Sequence, residues 1–308
     1  MSDGAILLRL DRFTRTFGDV VAARGISLAV RRGEMFGFIG PDGAGKSTAL
    51  RALAGLVPPT TGVVETCGLD PFRERKALSR RVGFLAQRFS LYGDLTVDEN
   101  IAFFAELHGV RDVAARRDAM LELVRLGPFR RRLADRLSGG MRQKLALACT
   151  LVHTPELILL DEPTTGVDPV SRRDFWRLLA EVRRDGTTIV VSTPYLDEAE
   201  RCTRIALFSQ GRLLAVDAPG VLRGAAGDGW HELLAAPRRV AESALRGLSG
   251  VDDLEAFGER LHFRLDPAVG VGAVRAVLAA ADVAITELRP VRASLEDVFL
   301  ARIRAAEA

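Results

Sequence analysis

The chain has 308 residues, 48% of them hydrophobic, which suits one large domain with a smaller one attached. Its formal net charge of +3 is too small to argue for a nucleic-acid partner, and none is expected. No apolar run approaches ~18 residues, so no spanning helix is expected, and MSDGAILLRLDRF lacks the pattern of a secretory leader.

In chain order, residues 5–17 and 20–30 read as strands with turn residues between them. GEMFGFIG (33–40) is an apolar strand running into a Gly-rich loop, and KSTALRALAGL (46–56) has helical spacing. RVGFLAQ (81–87) is a short strand, and residues 96–152 are mostly helical. ELILLDEP (156–163) is a buried strand ending in two acids, followed by a helix at 171–186 that glycine closes. The β-branched run 187–191 is a further buried strand. Pro194 stops it, because proline has no backbone N–H and a fixed φ. RGAAGDG (223–229) reads as a linker. Beyond it the order is strand 230–235, helix 237–248, strands 251–256 and 260–265, helix 267–281, strand 283–289 and helix 293–305. That order fits a ferredoxin-like module with a final helix. Ser294 is placed to cap the last helix, with Asp297 reaching back.

GPDGAGKST matches the phosphate-loop spacing G-x-x-x-x-G-K-[ST], with a strand before it and a helix after it. Its residues are Gly40, Pro41, Asp42, Gly43, Ala44, Gly45, Lys46, Ser47 and Thr48. The glycines let backbone N–H groups turn inward around phosphates, and the helix N-terminus adds partial positive charge. Lys46 can reach the β- and γ-phosphates, and Ser47 can coordinate Mg²⁺. Lysine occurs only at 46, 76 and 144 in this arginine-rich chain, which adds weight to Lys46. In LILLDEP, Asp161 can hold Mg²⁺ through water and Glu162 can polarise an attacking water. Two acids ending an apolar strand are costly without a cation or solvent nearby. In LSGGMRQK, Ser138, Gly139 and Gly140 can open a helix whose N-terminus binds an anion. Alone, each of the last two also fits an ordinary strand exit or helix cap.

In this order the three motifs resemble the ATP-binding cassette (ABC) family of transporter ATPases, over residues 5–220. The resemblance implies an α/β P-loop NTPase fold in residues 1–222, with a helical subdomain at about 88–152. The linker at 223–229 then leads to a small α+β, ferredoxin-like module at 230–308. It implies ATP and Mg²⁺ as cofactors. Gln87 falls where a family glutamine touches Mg²⁺ and senses the membrane partner, and Phe17 where an aromatic ring stacks on adenine. Asp168 matches an aspartate of the loop that crosses a head-to-tail dimer, so the partner is a second copy or a paralogous cassette. LYGDLTVDENIAFFAELHGV and ASLEDVFLARI are similar to the ATP-binding subunits of ABC-2-type exporters, including the daunorubicin-resistance type. Those pair with a separate integral membrane permease, on the cytoplasmic face of the cell (inner) membrane.

Two positions depart from the family pattern. Asp42 replaces an asparagine, and a carboxylate near phosphates is costly unless it points outward. Pro194 replaces a histidine that donates to the γ-phosphate, a role proline cannot fill. A regulator that holds ATP without turnover is therefore an alternative, as is a non-transport cassette. Cys67, Cys149 and Cys202 form no CxxC and read as buried reduced thiols of a cytosolic protein. His108, His153, His231 and His262 read as isolated from one another, which argues against a metal cluster. The basic runs 72–81 and 125–136 read as solvated faces, with a membrane or permease contact as the functional alternative.

Overall fold

A computed structural model describes residues 4–87 and 91–307. Backbone contacts divide the chain into two units, Met1–Val216 and Asp217–Ala308. No described helix is long and apolar enough to cross a membrane.

The first unit holds two sheets. One is antiparallel, in the order β2 (Val20–Arg31), β1 (Ile6–Phe17), β4 (Thr61–Thr66). The other has six strands, built around β3 (Met35–Ile39), β6 (Leu157–Asp161) and β7 (Thr188–Thr193). Its order is β5 (Val82–Leu85), β6, β7, β3, β8 (Arg204–Ser209), β9 (Arg212–Asp217), with β5, β6, β7, β3 and β8 pairing in parallel. Every residue of β3, β6 and β7 is buried. Strands covered on both faces read as continuous apolar runs, which is why the sequence announced these three. Strand β7 runs two residues beyond the expected Val191, so Ser192 and Thr193 belong to it.

Helix α1 (Lys46–Leu53) follows β3, and the short α2 (Arg75–Leu78) precedes β5. The helical stretch resolves into α3 (Val97–Leu107), α4 (Val113–Val124) and α5 (Gly139–Leu151), with two single 3₁₀ turns between the last two. A capping box between Thr96 and Glu99 opens α3. Helix α6 (Pro169–Arg184) buries Phe175, Trp176, Leu178, Leu179 and Val182, the spacing of one helical face. One short turn of helix, α7 (Leu196–Ala199), follows β7.

Two expectations about side-chain surroundings also change. His108 and His153 are not isolated: their rings stack at 3.9 Å, because the ends of α3 and α5 meet there. Burial, then the neighbouring His108, pushes His153 down to about 4, so it is neutral at physiological pH. The basic runs are not simply solvated. Arg75 donates to Gly55 O at 2.8 Å, Arg81 binds Glu156 and donates to Cys67 O at 2.7 Å, and Arg130 reaches Asp98 and Asp118 at 2.8 and 3.0 Å. The three cysteines are free and buried, and burial pushes Cys67 and Cys202 up to about 12.

The second unit opens with α8 (Pro219–Ala225), so residues 223–225 of the expected linker complete a helix. The order then matches the expected module: β10 (Trp230–Ala236), α9 (Arg238–Arg246), β11 (Val251–Phe257), β12 (Arg260–Leu265), α10 (Gly270–Ala280), β13 (Ala284–Pro290), α11 (Leu295–Glu307). The strands form one antiparallel sheet in the order β11, β12, β10, β13. Leu233, Leu261 and Phe263 pack with Ala241, Leu245, Val274 and Leu278 in its core. The reciprocal cap of α11 is present: Ser294 N donates to Asp297 Oδ2 at 2.7 Å, and Asp297 N donates to Ser294 Oγ at 3.1 Å.

Candidate active site

The loop from Gly40 to Gly45 leaves β3 and turns into α1. Glycine is required at its two ends by close approach. A Cβ at Gly40 would lie 2.2 Å from Phe208 O, and one at Gly45, where φ is +98°, 2.5 Å from Ala22 O. Lys46 opens α1 and is 3% exposed. Its Nζ donates to Gly40 O at 2.7 Å and Pro41 O at 2.9 Å, and lies 3.3 Å from Glu162 Oε1. The lysine thus folds back over the loop it follows, against the acid that ends β6.

Asp161 and Glu162 stand at the carboxyl end of β6, where ligands of open α/β sheets bind. Asp161 is fully buried, and its Oδ1 accepts from Ser47 Oγ at 2.7 Å and Ser192 Oγ at 2.8 Å. Among the described residues its Oδ2 accepts no hydrogen bond, and Arg51 Nη2 lies 3.9 Å from it. Glu162 has φ +50°, an uncommon left-handed conformation for a residue with a side chain. Ser192 Oγ and Ser192 O hold its backbone N–H at 2.9 and 3.2 Å. Its Oε2 accepts from Gln87 Nε2 at 2.9 Å and from Thr165 Oγ1 at 3.4 Å. The two acids are thus held in place by protein hydroxyls, an amide and a lysine.

A cavity of about 490 Å³ lies against this cluster. Phe17, Gly43, Ala44, Gly45, Lys46, Ser47, Thr48 and Glu162 line it. Asp42 is exposed and does not line it, so its carboxylate costs little there. Phe17 is 45% exposed at the tip of the β1–β2 hairpin, with the Arg15 guanidinium 4.4 Å from its ring centre. Five lining residues were not anticipated: Val20, Val21, Ala22, Arg24 and Gln210. The first four follow Phe17 across the hairpin, where pairing of Phe17 with Val20 returns the chain to the loop. Gln210 comes from the β8–β9 turn, which docks through Gly211 N to Ala44 O at 3.1 Å and Arg24 N to Gly211 O at 2.7 Å.

The remaining expected residues form a second group, with Ser138, Gly139 and Asp168 exposed and Gly140 buried. Ser138 caps α5, accepting from Met141 N at 3.3 Å, with Gly139 exposed beside it. Asp168 caps α6, accepting from Val170 N and Ser171 N at 3.1 and 3.0 Å, and the Ser171 bond foremost holds its carboxyl below the usual range. The two helix starts touch: a Cβ at Gly140 would lie 2.3 Å from Ser171 Oγ. None of these residues lines the cavity beside Lys46.

At the end of β7, Thr193 Oγ1 donates to Glu198 Oε2 at 2.6 Å and accepts from Tyr195 N at 3.1 Å. Glu198 is fully buried, accepts from Thr164 Oγ1 at 2.8 Å and pairs with Arg172 Nε at 3.0 Å. The segment around Pro194 is therefore fixed from both sides. The hydroxyl hydrogens of Ser192 and Thr193 are committed, to Asp161 and Glu198.

Residues 23–165 match the family described as "ABC transporter". Over 97% of this chain and 96% of the relative, the sequence is 36% identical to daunorubicin resistance ATP-binding protein DrrA3 of Streptomyces coeruleorubidus. It is 40% identical over 222 residues to YbhF of Escherichia coli K12, named "Probable multidrug ABC transporter ATP-binding protein"; the match spans 71% of this chain but 38% of YbhF. The dimeric, post-hydrolysis structure of the ATP-binding cassette MJ0796 with ADP and Pi is 27% identical at a TM-score of 0.62, covering 68% of this chain and 98% of that one. The phosphate loop against two buried acids, the second capped-helix pair and these likenesses agree: the chain belongs to the ATP-binding subunits of ABC transporters, a family of ATPases.

Proposed function

We propose that this chain binds and hydrolyses ATP to drive an ABC-2-type exporter, working beside a separate membrane permease on the cytoplasmic face of the cell membrane. The observation that carries the reading is the buried contact of Lys46 with Glu162 beside Ser47 and Asp161, at the mouth of a cavity the phosphate loop lines. The loop's N–H groups and Lys46 bind the β- and γ-phosphates. Phe17 stacks on the base. Glu162 orients and polarises the attacking water, and Gln87 holds the Glu162 carboxylate in position.

The residues fit a magnesium ion. Ser47 and Asp161 offer hard oxygens 2.7 Å apart, and the buried Asp161 Oδ2 has no hydrogen-bond donor among the described residues. Ser47, Asp161 and Gln87 would hold it, and the ion would neutralise charge on the phosphates.

Ser138, Gly139, Gly140 and Asp168 act on a second copy. They lie outside the cavity of their own chain and expose a helix start suited to an anion. Two chains head to tail, or this chain with a paralogue, then complete two sites. The similarity to a daunorubicin-resistance protein along nearly the whole chain supports an export role. A second reading, ATP held with little turnover, is favoured by Pro194 and by the committed hydroxyls of Ser192 and Thr193.

Calorimetric titration of the full chain with Mg-ATP tests the proposal. Wild type binds and Lys46→Ala does not, because the main cation on the phosphates is gone. Equal binding by both would remove Lys46 and its loop from the site.

A further inference from the structure

We propose that Ser192 is a positioning residue for hydrolysis, one hydroxyl that sets both acids of the site. The inference rests on the ATPase reading above and assigns a role to a residue outside the phosphate loop and the acid pair.

Parallel pairing of β6 with β7 puts Ser192 beside Asp161. It is fully buried after the apolar residues Ile189, Val190 and Val191, where a small apolar side chain would satisfy packing alone. Its Oγ donates to Asp161 Oδ1 at 2.8 Å and accepts from Glu162 N at 2.9 Å. Its partners are the Asp161 carboxylate that ends the neighbouring strand and the Glu162 backbone N–H just beyond it. The following hydroxyl, Thr193 Oγ1, serves Glu198 instead and does not stand in for Ser192 Oγ.

The two bonds do different work. The first fixes the Asp161 carboxylate together with Ser47, leaving Oδ2 without a donor. The second helps hold Glu162 at its φ of +50°, from which its carboxylate reaches Lys46 and Gln87. Without Ser192 Oγ, Asp161 keeps one hydroxyl and the Glu162 N–H keeps only the 3.2 Å bond to Ser192 O. The aim of both acids loosens. The phosphate loop, Lys46 and Phe17 do not touch the lost group, so nucleotide binding is spared.

The test compares full-length wild type, Ser192→Ala and Ser192→Thr for kcat, KM and calorimetric Mg-ATP affinity, with Lys46→Ala as a binding control. Ser192→Ala is expected to lower kcat about ten- to hundredfold, the range of one hydrogen bond to a charged group. Its Mg-ATP affinity and KM stay within about threefold of wild type, and Ser192→Thr recovers most of the rate. Wild-type kcat in Ser192→Ala overturns the proposal, as does a parallel loss of affinity and rate that threonine does not rescue. Where Ser192→Ala does not fold, Ser192→Cys carries the comparison. A thiol is a weak donor, so full kcat in that variant overturns the proposal. The functional reading fails separately: if wild type binds no Mg-ATP, or Lys46→Ala binds it equally, that reading falls and takes the Ser192 role with it.

Discussion

Lys46 Nζ and Glu162 Oε1 lie 3.3 Å apart, with side chains 3% and 6% exposed. Each is the counter-ion of the other in a place with little water. A phosphate oxygen beside Lys46 competes for the same ammonium, so nucleotide binding and release of the Glu162 carboxylate are linked. Glutamine at 162 keeps the shape but neither pairs with Lys46 as an ion nor acts as a base. Glu162→Gln is expected to bind Mg-ATP at least as well as wild type and to accumulate an ATP-bound dimer. Its turnover falls by roughly 10²–10⁴, the scale of general acid–base catalysis. Sedimentation with saturating ATP checks this, and a monomer would count against the two-chain site.

On the proposed function, Pro194 is expected to limit the rate. Proline donates no hydrogen bond, and the two hydroxyls before it are taken by Asp161 and Glu198. One missing preorganised donor costs roughly 10²–10³ in rate in comparable sites. Pro194→His is therefore expected to raise turnover several-fold or more at unchanged ATP affinity, read by steady-state assay with the permease present. Pro194→Ala restores no donor and stays slow. A histidine variant no faster than wild type, while folded and ATP-bound, means another group supplies the donor.

The first unit ends at Val216 and has its own core, so a chain of residues 1–216 is expected to fold and bind Mg-ATP within about threefold of full length. Circular dichroism and calorimetry measure this. An insoluble or unfolded product would show that residues 217–308 are needed to build the cassette.

The second unit has its own pH dependence. His262 Nδ1 lies 3.4 Å from Asp297 and Nε2 3.1 Å from Glu232. The bond to Asp297, then that to Glu232, raises its pKa above 6.5 against the opposing effect of burial. The folded state therefore holds this proton more tightly than the unfolded chain. The stabilisation is complete below about pH 6.5 and is lost as pH rises through the higher folded value. The thermal midpoint of this unit is expected to fall as pH rises above 6.5, and His262→Gln to flatten that slope. A wild-type midpoint flat in this window would contradict the assignment.

Much of the site was legible because its chemistry is local. The phosphate loop, the acids ending β6 and the caps at Ser138 and Ser294 each follow from a few adjacent residues, whereas the cap that Asp168 makes on α6 was not read from the sequence. Strands β3, β6 and β7 were legible because burial on both faces leaves continuous apolar runs. What stayed hidden depends on which strands become neighbours. Strand β4 lies at a sheet edge, mixes polar and apolar residues, and gave no such run; β8 and β9 were not read although each holds a short apolar run, too brief to tell from a buried turn or helix segment. Gln210 reaches the cavity only because β8 pairs beside β3. Ser192 touches both acids only through the β6–β7 register, and His108 meets His153 only where two helices end.

The most direct test of the account is phosphate release by the purified full-length chain with Mg-ATP, beside Glu162→Gln and Lys46→Ala. Wild type is expected to release phosphate slowly, yet roughly 10²-fold or more above Glu162→Gln, and Lys46→Ala to release none. Wild-type release no higher than that of Glu162→Gln, with ATP bound in both, would contradict it and leave a chain that holds ATP without turning it over.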